Sequence, residues 1–278
     1  MLTRRFVLAA PLIALPACGA DNPLAALEVK SGGRLGVAVL DTGSDHKMAW
    51  RGDERFPMCS TFKVLLAAAV AARVDAGKET PSRLVPYGPK DLVAYSPVTE
   101  KHVSEGGMSV AALWDAILVE SDNTAGNLLL GTIGGPPGWT IYARSLGDPV
   151  SRLDRLEPVL NSAEPGDERD TTTPLAMLRN LQKVLTGDVL TREYRTLLVR
   201  GMERSTLGAK RLRAGLPAGW TMGDKTGSGG NGTRNDVAII TPPGRPPILA
   251  AVYLTGSKLS DDDSNALIAE IGRMISGF

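Results

Sequence analysis

Ser60-Thr-Phe-Lys-Val-Leu-Leu-Ala-Ala-Ala-Val-Ala-Ala-Arg-Val74 is the stretch on which the reading of this chain turns. It is rich in alanine and leucine, meets no glycine or proline before Gly77, and is apolar on nearly every side. That pattern predicts a buried helix opening at Ser60. Towards the N-terminus, Asn22-Pro23 starts a short helix to about residue 30, and residues 34–40 alternate as a strand. Asp41-Thr-Gly-Ser-Asp45 then turns the chain into a second strand near 47–51, completing a hairpin. Towards the C-terminus, helical patterns cover about 110–120, 124–131, 139–146, 174–186 and 191–200. Beyond Trp220, strands at 236–241 and 248–255 flank a proline-rich turn, and a closing helix fits 261–276.

Strands at both chain ends and helices between them predict an α/β fold. An antiparallel sheet of about five strands, drawn from both ends and flanked by helices, carries an inserted all-helical lobe. The expected divisions are 21–58 with 204–278 for the sheet domain, and 59–203 for the helical domain. Inside the latter, residues 152–173 are charged, contain two prolines and show little periodicity. A loop that long inside a compact domain is often functional.

The 278 residues carry 31 basic and 30 acidic side chains, so neither nucleic acid nor an anionic membrane surface is an expected partner. A small molecule is. Residues 1–20 place Arg4 and Arg5 before an apolar run and end in Cys18-Gly-Ala, the pattern of a secretory signal. Thr3-Arg-Arg-Phe6 resembles a twin-arginine signal. Leu15-Pro-Ala-Cys18 resembles a lipoprotein box that would anchor Cys18 through lipid, although Pro16 fits that box poorly. The chain is expected to be exported to the periplasm as a monomer without an obligate protein partner. Only Cys18 and Cys59 exist, so a mature chain has no internal disulfide.

Ser60-x-x-Lys63 puts a hydroxyl and an amine on one face at a helix start, where the amine can activate the serine and free backbone N–H groups can meet an oxyanion. The spacing alone is not distinctive, because Ser44-Asp-His-Lys47 matches it in a turn. Ser121-Asp-Asn123, between two helical runs, is either a plain inter-helix cap or a second hydroxyl with an amide for substrate. Lys225-Thr-Gly-Ser228 lies in a glycine-rich run ahead of a strand, where ligand can approach backbone. It is no phosphate cradle, since Asp224 stands where glycine is required and no helix follows. Glu157-Pro-Val-Leu-Asn161 could hold a water, or be a surface carboxylate before a turn. Arg155 and Asp170 could clasp the loop. His46 and His102, both read as surface residues, come without a Gly-x-Ser-x-Gly elbow, which disfavours a histidine triad. A zinc cage is equally unsupported, and no metal or cofactor is expected.

In this order, Ser60-x-x-Lys63, Ser121-Asp-Asn123, Glu157-x-x-x-Asn161 and Lys225-Thr-Gly227 strongly resemble the class A β-lactamases. Tyr95-Ser-Pro-Val-Thr99, Arg152-Leu-Asp-Arg-Leu-Glu157, Asp167-Glu-Arg-Asp-Thr-Thr-Thr-Pro174 and Leu216-Pro-Ala-Gly-Trp220 extend the resemblance over nearly all the mature chain. It implies that Ser60 becomes the acyl-enzyme of penicillins and cephalosporins, with Lys63 or Glu157 activating it and Ser121 protonating the leaving nitrogen. Glu157 and Asn161 would position the hydrolytic water, and the backbone N–H groups of Ser60 and Ser228 would form the oxyanion hole. Lys225, Thr226, Gly227 and Ser228 would line the substrate-carboxylate site, helped by Arg211 or Arg234, since the family uses either position. Asn123 would contact the acylamino side chain, and Tyr95 would wall the cleft. Cys59 reads as a small buried apolar group. Carbapenem-hydrolysing members often bridge it to a cysteine near 229, where Gly229 stands here. Two rivals share the serine and lysine motifs: a cell-wall D,D-peptidase, which should lack the Glu157 loop, and a non-catalytic β-lactam sensor.

Overall fold

The sheet closes where the two ends of the chain meet, because residues 34–41 pair along their whole length with 248–255, from Arg34 opposite Thr255 to Asp41 opposite Ile248. This computed structural model describes residues 22–278, so the signal reading of 1–20 and the lipid reading of Cys18 lie outside the described residues. The strands are β1 (Arg34–Asp41), β2 (Lys47–Trp50), β3 (Thr221–Gly229), β4 (Thr233–Thr241) and β5 (Ile248–Thr255), in the antiparallel order β2-β1-β5-β4-β3. The longer helices are α1 (Pro23–Ser31), α2 (Phe62–Asp75), α3 (Val110–Val119), α4 (Asn123–Thr132), α5 (Gly135–Ser145), α6 (Pro174–Leu181), α7 (Arg192–Glu203) and α8 (Asp261–Ile275).

Alternation along the strands sends side chains to two cores. Val37, Val39, Ala250 and Val252 meet Leu24 and Leu27 of α1 and Leu267, Ile268 and Ile271 of α8. Ala38, Leu249, Ala251 and Tyr253 face the helical side, where they join a larger cluster around α2. Helix α2 is buried from Phe62 through Ala71, in keeping with its all-round apolar sequence. Two indole N–H groups brace it, Trp139 donating to Phe62 O (3.0 Å) and Trp114 to Ala67 O (2.9 Å).

Three elements differ from the sequence expectation. Residues 225–228 are not a lead-in to a strand but part of β3, the edge of the sheet. The glycines there mark close approach rather than a loop. A Cβ on Gly223 would stand 3.0 Å from Met202 Cβ, and one on Gly227 would stand 2.8 Å from Met58 O. Helix α5 starts at Gly135, earlier than expected, with proline in its first turn where a missing N–H costs nothing. The pattern at 174–186 divides into α6 and the π-helical turn Gln182–Thr186.

Candidate active site

Ser60 is presented by a sharp turn. Cys59 adopts a left-handed φ of +45°, the chain passes through the 3-10 turn Cys59–Thr61, and α2 follows. Asn235 of β4 ties this turn to the sheet by donating from Nδ2 to Pro57 O (2.8 Å) and Met58 O (3.0 Å). One helical turn on, Lys63 is fully buried. Its ammonium donates to Ser60 Oγ (3.1 Å), Ser121 O (2.7 Å) and Asn123 Oδ1 (2.7 Å), and pairs with Glu157 Oε1 at 3.0 Å. Ser60 Oγ donates to the same carboxylate oxygen at 3.1 Å. Burial pulls the Lys63 pKa below the ordinary lysine range, while the Glu157 carboxylate opposes that pull.

Ser121 sits at the break between α3 and α4 with φ +57°. The cap reading of this motif holds alongside the chemical one. Asp122 accepts the Ala125 N–H at the start of α4 (2.8 Å), and it also takes the N–H groups of Val98 and Thr99, both at 2.9 Å. Asn123 N–H donates to Tyr95 O (3.0 Å) and its Nδ2 to Ala94 O (2.8 Å). These bonds hold the half-exposed Tyr95 ring at the rim.

Loop 152–173 is closed by its own charges. Arg155 Nε donates to Asp170 Oδ2 at 2.5 Å, and Asp170 Oδ1 takes the N–H groups of Asp154 (2.7 Å) and Arg155 (2.9 Å). Inside the loop, Asn161 Nδ2 donates to Glu157 Oε2 at 2.5 Å. Asn127 of α4 clasps the backbone of Glu157, donating to its carbonyl and accepting its N–H, both at 2.9 Å. Sequence reasoning missed Asn127. The available signal was a second amide four residues after Asn123, on the same helix face. The loop is also pinned to the strand rim, where Gly230 N–H donates to Asn161 O (2.8 Å) and a Cβ on Gly229 would stand 2.5 Å from that oxygen.

Lys225 of β3 is fully buried and donates to Ser121 Oγ (2.9 Å) and Thr226 O (3.0 Å). Burial first, and then the nearby Lys63 ammonium, pull its pKa down to about 7. Above these groups opens a cleft of 490 Å³, lined by Ser60, Tyr95, Ser121, Asn123, Asn161, Arg211, Thr226 and Ser228, with Ala94, Pro158 and Leu207, which the sequence had not singled out. Lys63, Glu157, Lys225 and Gly227 lie beneath this lining. A wider depression of 720 Å³ beyond the loop, lined in part by Arg34, Glu164 and Lys258, holds none of the motif residues. The chemistry therefore belongs to the smaller cleft. Of the two arginines, Arg211 lines the cleft and donates to Ser228 Oγ (2.8 Å). Arg234 is absent from that lining and is paired with Asp261.

A family model described as the β-lactamase enzyme family matches residues 20–278. The chain belongs to that family. It is 50% identical over 256 residues to β-lactamase AST-1 of Nocardia asteroides, covering 92% of this chain and 82% of that protein. With β-lactamase OXY-2 of Klebsiella oxytoca the identity is 46% over 250 residues, covering 90% and 86%. A solved ancestral class A β-lactamase (GNCA) superposes with a TM-score of 0.90 at 60% identity, covering 92% of this chain and 98% of that one. This class A β-lactamase keeps Cys59 buried, and burial pushes its thiol up to about 12, so it contributes packing rather than a thiolate. His46 stacks on Phe278 (ring centroids 4.4 Å apart) and His102 faces Glu105 (2.7 Å); neither lines the cleft.

Proposed function

We propose that the chain is an exported enzyme that hydrolyses penicillins and cephalosporins through a Ser60 acyl-enzyme and so confers resistance to them. The observation that carries this reading is the meeting of Ser60 Oγ, Lys63 Nζ and Glu157 Oε1 within 3.1 Å of one another, with Asn161 on the other carboxylate oxygen. In acylation, Ser60 Oγ bonds to the lactam carbonyl carbon and its proton passes to the Lys63 and Glu157 pair. The carbon–nitrogen bond then breaks as Ser121 Oγ gives its proton to the leaving nitrogen. Lys63 Nζ, 3.4 Å from Ser121 Oγ, passes the proton taken from Ser60 on to Ser121, which leaves Glu157 an ionised base again; Lys225 Nζ, 2.9 Å away, also favours that hydroxyl as a donor. In deacylation, Glu157 takes a proton from water, the water oxygen attacks the ester carbonyl, and Ser60 Oγ leaves and regains a proton. Backbone N–H groups of Ser60 and Ser228 receive the oxyanion in both steps, each such donor being worth about 3–4 kcal/mol in comparable enzymes.

The substrate carboxylate binds at Thr226, Ser228 and Arg211 over the Lys225 charge, while Asn123 and Tyr95 contact the acylamino side. The pairing of Glu157 with Asn161 favours a hydrolase over a D,D-peptidase or an acylated sensor, because one oxygen of that carboxylate faces the nucleophile while the other is held by Asn161. Stopped-flow mixing with a penicillin tests this directly. Rapid multiple turnover is expected, and a long-lived penicilloyl-Ser60 in the native protein would overturn it.

Residues 1–20 are read as the export signal, and the exported chain is read as a monomer. No helix among the described residues is long and apolar enough to cross a membrane. The mass of the exported protein checks the signal, and a diacylglycerol adduct at Cys18 would instead show a lipid anchor.

A further inference from the structure

Two guanidinium groups stand near the carboxylate end of the cleft in opposite electrical states. Arg211 donates from Nη2 to Ser228 Oγ (2.8 Å), from Nη1 to the carbonyls of Gly227 (2.9 Å) and Asn235 (2.5 Å), and from Nε to Asn265 Oδ1 (3.0 Å). All four partners are neutral, so no direct contact cancels its charge. Arg234 stands directly opposite Ser228 in the β3–β4 ladder. Residues facing each other in a ladder share a face of the sheet, which leaves the long Arg234 side chain within reach of the position Ser228 lines. Instead it is paired with Asp261, and its Nη1 donates to Thr233 O (2.8 Å).

Asp261 and Asn265 are four residues apart on α8 and so lie on one face of one helix. We infer that these two residues select which arginine serves the substrate carboxylate. The neutral Asn265 holds Arg211 in place with its charge unspent, while the anionic Asp261 keeps Arg234 engaged outside the cleft. The Asp261 side chain is 79% exposed, and an ion pair with so wet a partner holds weakly. Arg234 is therefore a second carboxylate-binding cation held back by one surface residue, and Asp261 and Asn265 are positioning residues for the pair. The inference rests on the β-lactamase reading above, because it needs an anionic substrate.

Steady-state kinetics on a penicillin test it. Arg211→Ala is expected to raise KM with little change in kcat, as removal of uniform binding does. In that background Asp261→Asn releases Arg234 and lowers KM by about threefold or more, and adding Arg234→Ala cancels the gain. Asn265→Asp alone, confirmed folded by its melting curve, raises KM in the direction of Arg211→Ala. Equal KM values for Arg211→Ala and Arg211→Ala/Asp261→Asn overturn the selection, as does a gain that survives Arg234→Ala. A native protein that turns over no penicillin overturns instead the function on which the inference rests.

Discussion

Helix α2 and loop 152–173 both deliver a charged group to Ser60, yet different forces hold them. Every residue of α2 from Phe62 to Ala71 is buried, and each aliphatic side chain of valine size or larger contributes about 1.5–3 kcal/mol by leaving water. The loop leaves Leu156 and Val159 exposed, at 46% and 60%, and is held by polar bonds: Arg155 to Asp170, Asn127 to the Glu157 backbone and Gly230 to Asn161. Each such bond nets only about 1 kcal/mol. What it fixes is direction. The lesson is that the nucleophile is secured by the stability of the whole fold, whereas the hydrolytic carboxylate is secured by local geometry and can be lost while the protein stays folded.

The strongest test of that contrast is Glu157→Gln, which removes the proton acceptor and keeps the shape. Deacylation is expected to fall by about 10²–10⁴-fold with acylation far less affected, so intact-protein mass spectrometry should find penicilloyl-Ser60 accumulating. Unchanged turnover would mean that helix and loop do not divide the reaction. Next in size, Leu66→Ala on α2 should cost about 2–5 kcal/mol in urea unfolding while kcat per folded molecule holds. Asn127→Ala should do the reverse. It leaves the Glu157 N–H and carbonyl unpartnered at a cost of about 1–3 kcal/mol, and it slows deacylation out of proportion to that cost. A parallel fall of acylation and deacylation would sink the local-geometry argument.

The smallest effect concerns Lys225, whose pKa of about 7 reflects burial first and then the neighbouring Lys63 charge carried by α2. As pH rises through about 7 the free enzyme loses this charge, so KM for an anionic β-lactam is expected to rise with kcat nearly constant. Stability moves the other way. The unfolded lysine keeps its proton to about pH 10, so the native state binds fewer protons between about pH 7 and 10 and stability rises with pH through that window. Comparing Tm with Lys225→Met isolates the contribution, and a flat difference across the window would remove it.

The four motifs were legible because each packs its chemistry into three to five consecutive residues, and the terminal strands because apolar alternation survives in their sequence. β3 was not. Gly223, Gly227 and Gly229 depress strand propensity, and only the approach of Met202, Met58 and Asn161 explains them. The clasp of Glu157 by Asn127 and the choice between Arg211 and Arg234 were hidden for a related reason. Each depends on a side chain 27 to 54 positions away in sequence, and no local pattern encodes which direction a guanidinium or an amide turns.

Cys59, packed behind the nucleophile, has a practical consequence. It is the one thiol among the described residues, it is fully buried, and burial holds it protonated at neutral pH. Thiol-directed dyes or spin labels should therefore pass it by, leaving a chain cleaved beyond Cys18 as a blank background. A single Val159→Cys substitution on the exposed loop would then carry a reporter of loop motion during turnover, without first stripping the enzyme of its own cysteine.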